Sequence, residues 1–575
     1  MSREPMIGAR PPRFANWLMD PIRANRSVYA KVALAAVMIN LFALVASLFT
    51  MTVYNRVIPN NATSSLIALT IGLAIMLVFD FILKILRAYF VDIAGADIDS
   101  DVGDRVFAQL LTLRMDQKRG STGGLASLMR ELETLRDFFA SATLTAVVDV
   151  PFILITLLVM ALIGGWLVLV PIALIPIVVI VGFLTEPTLD RLSTKSMSQA
   201  MLKQSVLVET IGGLEMVKSV SAAPLLIRRW RDAVALHART SLGQRLVSNI
   251  SVTVVSTGQQ IAYAAVVVAG VGLINAQELS IGALIACSIL SGRAVAPLAQ
   301  IANLLSRLNA TRTAYRQLNG LMDMPIEGAG QKALKLDKVE GGIEFKGVTF
   351  TYPGATETTL KNVSLTIKPG EKVAILGRVG SGKSTIARMI LGLYPPETGL
   401  VMVDGTEVRQ LDMPTLRKHI GCVMQDTVLL SGSVRENIQL DRPDVDDGEL
   451  LRAAALSGTH EFMGRIANGY DLVLTDRGES LSGGQRQSIG LARALAGKPS
   501  MLILDEPSSA MDSQTEVALL ERLAVELKDR TLLLITHRMP LLRLVSRIIL
   551  LDQGKIVADG PRDAILKQIS GKQVV

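Results

Sequence analysis

The chain has 575 residues, 50% of them hydrophobic and 19% charged, with 59 lysines and arginines against 51 aspartates and glutamates and two cysteines, Cys287 and Cys422. That length calls for two or more domains, a mean hydropathy of +0.41 excludes a disordered or uniformly soluble chain, and two cysteines exclude a disulfide framework. The net charge of +8 would suit nucleic acid, but the long apolar runs of the first half point instead to basic residues held in cytoplasmic loops, so no nucleic-acid partner is expected.

Residues 1–29 read as a cytoplasmic N-terminal segment and not as a secretory signal, because they are mostly polar and carry Arg3, Arg10, Arg13, Arg23 and Arg26. With no cysteine before Cys287, this segment offers no thiol nucleophile for cutting a leader peptide. A membrane domain follows over 30–322, with six apolar segments near 32–53, 65–86, 144–163, 166–184, 252–274 and 279–301. At ~20 residues each they are long enough to cross a ~30 Å hydrocarbon core as helices. Segments three and four are separated only by Gly164 and Gly165, and five and six by residues 275–278, so both pairs are predicted to be tight helical hairpins.

The long connections, 87–142 and 185–250, therefore share one side of the membrane. They are basic, from Arg105 to Arg136 and from Arg191 to Arg245, whereas the outer connections hold only Arg56, which puts both termini in the cytoplasm. Structureless loops beyond ~12–15 residues are uncommon, and Val106, Leu110, Leu111 and Leu113, like Leu207, Ile211, Leu214 and Val217, recur at helical spacing. Both connections are predicted to be helices extending the spans. Asp80, Lys84, Asp149 and Arg293 are the ionisable residues within spans. They fit interfacial snorkelling with an Asp80–Lys84 helix pair, or a watery path whose cytoplasmic entrance Asp149 and Arg293 border.

After a linker over 323–341, residues 342–575 alternate short apolar runs with charge and glycine, as a soluble α/β domain does. A buried strand ending at Leu376 runs into Gly377, Arg378, Val379, Gly380, Ser381, Gly382, Lys383, Ser384 and Thr385, and an apolar helix follows. This is the P-loop pattern: glycines let backbone N–H groups face phosphate, Lys383 reaches the β and γ phosphates of ATP, and Ser384 holds Mg2+. A second apolar strand, 501–504, ends in Asp505 and Glu506. Aspartate there coordinates magnesium, and the next carboxylate is placed to polarise an attacking water. The fold class is an α-helical membrane domain of six transmembrane helices plus an α/β P-loop nucleotide-binding domain.

LSGGQRQ at 481–487 resembles the signature motif of ABC ATPases, and the remaining motifs of that family stand in order around it. By this resemblance Tyr352 is the A-loop aromatic that stacks on adenine, Gln425 the Q-loop glutamine that joins Ser384 and Asp505 at the metal, Asp512 the D-loop aspartate and His537 the switch histidine. Glu506 and His537 are then the catalytic pair. His237, His419 and His460 match no motif. Ser482, Gly483, Gly484 and Gln485 open a helix whose N-terminus can hold an anion. In the family that anion is the γ-phosphate bound to the P-loop of a second copy, which implies a homodimer with C2 symmetry.

A membrane part followed by an ATPase on one chain resembles ABC exporters. TVYNRVIPNNAT (52–63), ETIGGLEMVKSV (209–220) and SGRAVAPLAQIANLLSRLNATRTAYRQL (291–318) resemble the permease/ATPase component of bacterial type I secretion systems. The resemblance implies an ATP hydrolase of the bacterial inner membrane that passes unfolded polypeptide, with a periplasmic adaptor and an outer-membrane channel as partners. An exporter of lipid or small hydrophobic molecules is the alternative, since it shares the same ATPase. The family also implies coupling tips on the two cytoplasmic connections, here near 115–124 and 212–221, received by Gln425 and the segment after it. Gly212 and Gly213 are expected to permit a sharp bend at the second tip.

Overall fold

A computed structural model of the chain describes residues 15–117, 122–139, 142–328 and 333–572. They divide into two compact units, one within Met1–Leu111 and Arg119–Met324, the other within Thr112–Lys118 and Pro325–Val575.

The first unit is helical throughout: α1 (Asn16–Ala24), α2 (Arg26–Thr52), α3 (Thr63–Thr112), α4 (Thr122–Phe139), α5 (Ala142–Gly164), α6 (Leu169–Gly212), α7 (Leu214–Ser219), α8 (Ala223–Asn275) and α9 (Ile281–Met322). All six predicted spans fall in helical chain. Among the described residues four stretches are long and apolar enough to cross a bilayer, Arg26–Val57, Thr63–Thr112, Val150–Ile177 and Ala223–Asn275, with a shorter apolar helix over Ile281–Ala296. Val150–Ile177 takes in most of the third and part of the fourth predicted span, and the backbone changes course within it at Gly165, whose φ is +51°.

The long connections are helix, continuous with the spans. α3, α6 and α8 contain 50, 44 and 53 residues, which at ~1.5 Å per residue makes each of them about twice as long as a ~30 Å hydrocarbon core is thick. α8 packs along α6 and α9, and α2 and α5 pack on α9, closing small cores around Val255, Ala294 and Val295 and around Met160, Val266 and Leu290. On α3 the apolar residues Ile67, Ile71, Ile75, Phe79 and Ile82 are exposed. A helix that satisfies its own backbone can present such a face to lipid without cost.

Asp80 and Lys84 pair with each other at 2.6 Å on α3, so that charge is answered locally, as the helix-pair reading has it. Arg293 is exposed on α9, and the side chain of Asp149 lies outside the described residues. At the second tip α6 gives way to the short α7, and the bend falls at Gly213 with φ −115°. Any residue adopts that conformation, so the bend does not draw on the freedom expected of glycine there. Ser221, at φ +55°, is the left-handed residue of this tip. The first tip contains a 3-10 turn at Met115–Gln117, and residues 118–121 lie outside the described residues.

The second unit holds two main sheets. A four-stranded antiparallel sheet runs Leu360–Ile367, Ile343–Phe350, Thr398–Val403, Thr406–Glu407, and a six-stranded sheet runs Lys555–Pro561, Arg547–Asp552, Lys372–Leu376, Thr531–Ile535, Met501–Asp505, Ile420–Val423. In the latter every neighbouring pair is parallel except the antiparallel Arg547–Asp552 with Lys555–Pro561. Met501–Asp505 and Thr531–Ile535 are buried at every residue, which is why they read as unbroken apolar runs. The segment Thr112–Lys118 belongs to this unit: Arg114 N–H donates to Pro325 O (3.4 Å), Glu327 N–H to Thr112 O (2.8 Å), and Arg417 grips Glu327 through two bonds of 2.8 and 2.9 Å. Thr112 and Arg114, just before the first tip, thus bond to Pro325–Glu327.

Candidate ATP site

Parallel strands deliver their carboxyl ends to one edge of a sheet, where loops can converge on a ligand. Three adjacent strands do so here. Lys372–Leu376 leads into the P-loop, Met501–Asp505 into Glu506, and Thr531–Ile535, which lies between them, into His537.

The P-loop closes on its own backbone. Gly377 has φ +156°, and a Cβ there would lie 2.0 Å from Leu551 O, so no side chain fits. Lys383 Nζ donates to the carbonyls of Gly377 (2.9 Å) and Arg378 (2.8 Å), bridging the loop from the first turn of its helix, Lys383–Ile390. Burial lowers the Lys383 pKa, while the nearby Glu506 and Asp505 carboxylates act in the opposite direction. Val379 is fully exposed and Gly380 sits at φ +82° in open space. Ser381 and Thr385 are buried, and no hydrogen bond reaches Ser381 Oγ among the described residues.

Asp505 is 1% exposed and hydrogen-bonds with Ser384. Burial pushes its carboxyl above the usual range, opposed by that bond. Its Oδ2 and the buried Oε2 of Glu506 have no hydrogen-bond partner among the described residues. Glu506 adopts φ +54°, an uncommon conformation for a residue with a Cβ and one that clusters at functional sites. Its N–H donates to Ile535 O at 2.8 Å, and its Oε1 accepts from Nδ1 of the exposed His537 at 2.8 Å.

Tyr352 reaches the same loop from the antiparallel sheet. Its hydroxyl shares a hydrogen bond with Thr385 Oγ1 (3.1 Å) and accepts from Arg388 Nη1 (2.7 Å), and its ring meets Phe350 and Tyr394 edge-on at 4.9 and 5.2 Å. Tyr352, the P-loop, Asp505, Glu506 and His537 are therefore brought together.

Among the described residues, Gln425, Asp512, Ser482, Gly483, Gly484 and Gln485 have no hydrogen bond to that cluster. Gln425 is exposed just past Ile420–Val423. Asp512 caps the helix Ser513–Glu526, accepting from Gln514 N–H and Thr515 N–H (both 2.9 Å) and Thr515 Oγ1 (2.8 Å), bonds that hold its pKa below the usual carboxylate range. Ser482 caps the signature helix, Gly483–Leu495, in a reciprocal capping box with Gln485. Cβ atoms at Gly483 and Gly484 would lie 3.2 Å from Ala510 Cβ and 2.9 Å from Ala510 O. These glycines thus let the helix start press on the turn after Glu506, a close approach beyond the anion-holding role.

Four further residues shape the site. Arg388 and Tyr394 hold Tyr352. Gln487, buried in the signature helix, bonds to the Glu506–Ala510 turn, and Arg538 donates to Ser509 O (3.0 Å) and Met511 O (3.2 Å). A polar Gln487 on the helix face shared with Leu491 and Ala494, both buried, is a signal that helical spacing could have flagged.

Family models described as "ABC transporter transmembrane region" and "ABC transporter" match residues 30–298 and 360–509. Leukotoxin translocation ATP-binding proteins LktB from Mannheimia glucosida, Mannheimia haemolytica and Bibersteinia trehalosi are each 32% identical over 571 residues, 99% of this chain and 80% of theirs. Among solved structures, a bacterial Atm1-family ABC exporter with ATP bound covers 96% of this chain, and is covered to 96%, with a TM-score of 0.83 at 22% identity, a likeness of fold.

Proposed function

This chain belongs to the ABC exporters, multi-pass membrane proteins that couple ATP hydrolysis to transport, and we propose that it exports unfolded polypeptide across the bacterial inner membrane as the ABC component of a type I secretion system. What supports the reading is the end-to-end similarity, over 99% of the chain, to proteins named for leukotoxin translocation. The lipid-exporter alternative draws on the shared ATPase and fold alone.

In this reading Tyr352 stacks on adenine, the P-loop amides from Gly377 to Thr385 and Lys383 hold the phosphates, and Glu506, oriented by His537, takes the proton of the attacking water. Magnesium fits the donor set, because the Ser384 hydroxyl and the partnerless Asp505 Oδ2 are hard oxygen donors, with Gln425 completing the set; once bound, the ion neutralises charge developing on the β and γ oxygens. One P-loop and one signature per chain leave each ATP incomplete without a second copy, so a C2 homodimer forms two equivalent sites, each capped by the partner's Ser482, Gly483, Gly484 and Gln485, with Asp512 at the seam. Closure around ATP is the work step. In this reading it is delivered through the coupling tips near 115–124 and 212–221 to helices whose other ends lie in lipid. Both termini are cytoplasmic, and a periplasmic adaptor and outer-membrane channel complete the path.

The test is to trap the full chain with Glu506→Gln in cells, purify it with ATP and identify what is held. A stalled polypeptide with a periplasmic protein is the expected finding. Lipid as the sole trapped molecule, together with ATPase stimulation by lipid and none by unfolded polypeptide, overturns it.

A further inference from the structure

Each chain uses its signature at one ATP and its Glu506 at another, if the proposed composite sites are right. The two functions lie on different elements of the same chain, and a single buried side chain joins them. Gln487 stands five residues past the cap Ser482, about 7.5 Å along the helix, and is 3% exposed. Its Nε2 donates to Glu506 O (2.7 Å) and Ser509 Oγ (3.0 Å), and its Oε1 accepts from Ala510 N–H (3.0 Å). Every one of these bonds lands on the turn that carries Glu506.

We propose that Gln487 is a positioning residue that links the two ATP sites of the dimer, transmitting the position of the signature helix on one ATP to the Glu506 that takes the proton of the water attacking the other. This rests on the reading that the signature caps ATP held by the second copy. Three observations carry it. The amide spends its capacity on the turn, so the helix cannot shift along its axis without dragging that turn or breaking buried bonds, which are costly to leave unmade. The turn is also pressed by the start of the same helix, since Gly484 leaves only 2.9 Å between a Cβ and Ala510 O. And Glu506 sits at φ +54°, a conformation that persists only where its surroundings enforce it; the bond to its carbonyl is part of that enforcement. Arg538, next to His537, also holds Ser509 O and Met511 O, so movement entering through Gln487 is delivered to Glu506 and not dissipated in a loose loop.

The link has a direction that mixed dimers can read. Two differently tagged full-length copies are co-expressed and purified through both tags. One carries Glu506→Gln, so only the site built on the other copy's P-loop and Glu506 turns over. Gln487→Ala is then placed either on the hydrolysing copy or on the Glu506→Gln copy, whose signature caps the active site. Turnover is expected to be at least ten-fold lower when the substitution is on the hydrolysing copy than when it is on its partner. If Gln487 merely supports the fold, both placements lose equally; if it serves only to place Ser482 on the capped ATP, the order reverses. Either result, or no loss in both, overturns the proposal. Should the alanine variant fail to assemble, Gln487→Glu is read in the same way, since it keeps the acceptor for Ala510 N–H and loses the donor to Glu506 O. Failure of the composite-site reading shows separately: without Gln487 substitutions, a single copy would then hydrolyse ATP at full rate with no second copy bound.

Discussion

Replacing Glu506 by glutamine keeps the volume and backbone of the residue and removes its negative charge and its ability to take a proton. The structure makes this substitution unusually clean. Glu506 already holds φ +54°, which glutamine inherits unchanged, and the Oε1 contact to His537 Nδ1 at 2.8 Å can be made by an amide oxygen. The atom whose chemistry changes is Oε2, buried and without a hydrogen-bond partner among the described residues. Loss of a positioned general base costs ~10²–10⁴-fold in rate, equivalent to ~2.7–5.4 kcal/mol in the barrier; the substitution removes one carboxylate that favours charged Lys383 but none of the Lys383 bonds to Gly377 O and Arg378 O. Phosphate release by the full chain in lipid nanodiscs is therefore expected to fall by ~10²–10⁴-fold, while nucleotide affinity stays within a few-fold and an ATP-bound dimer accumulates. Turnover within three-fold of the parent would remove Glu506 as the base. Loss of turnover and binding together would move it to the binding machinery.

Lys383→Ala removes the ammonium that bridges Gly377 O and Arg378 O; with charged hydrogen bonds worth ~1.5–3 kcal/mol, ATP affinity in a nucleotide-binding titration is expected to drop ~10–150-fold, and a change confined to turnover would contradict the assignment. Tyr352→Ala is expected to raise the ATP concentration needed for half-maximal hydrolysis by ~5–150-fold, on ~1–3 kcal/mol for base stacking. Tyr352→Phe, which loses only the bonds to Thr385 and Arg388, should change it much less, so equal effects in the two variants would refute the stacking role. Gly484→Ala forces a Cβ to within 2.9 Å of Ala510 O; overpacking of this kind costs ~1–3 kcal/mol of stability, so the thermal unfolding midpoint of the ATPase should fall by roughly 2–12 °C together with turnover, and an unchanged midpoint would refute the close approach.

The P-loop, Asp505 and Glu506 were legible because their chemistry is carried by local spacing: a buried strand, then the residues that touch phosphate or metal. The long helices were legible from the length of the apolar runs, the length of the connections between them and helical spacing. The contacts of Gln487, Arg388 and Arg538 were not. Gln487 and Arg538 bond to backbone carbonyls and an N–H far away in sequence, and a backbone atom leaves no letter to match. Arg388 meets a side chain, Tyr352, but only after a sheet and a helix have been brought together. The glycine pair at the second tip shows the opposite error. Composition suggested a bend needing glycine, yet Gly213 has an ordinary φ of −115° and the left-handed residue is Ser221, at the turn back into α8.

The signature and the catalytic carboxylate are separated by only a few hydrogen bonds within one chain, yet in the proposed dimer they serve different ATP molecules. A chain with one P-loop and one signature could have kept these functions mechanically independent by placing a flexible loop between them. Instead the Glu506–Asp512 turn is held by Gln487, by the glycines that open the signature helix and by Arg538 beside the switch histidine. Such a rigid turn has few soft degrees of freedom with which to absorb a shift of the helix. A displacement that seats one γ-phosphate must then change the geometry of attack on the other. Two such linked sites favour closing together over closing singly, which is what a transporter needs if a long polypeptide is to meet one definite change in its membrane helices per closure.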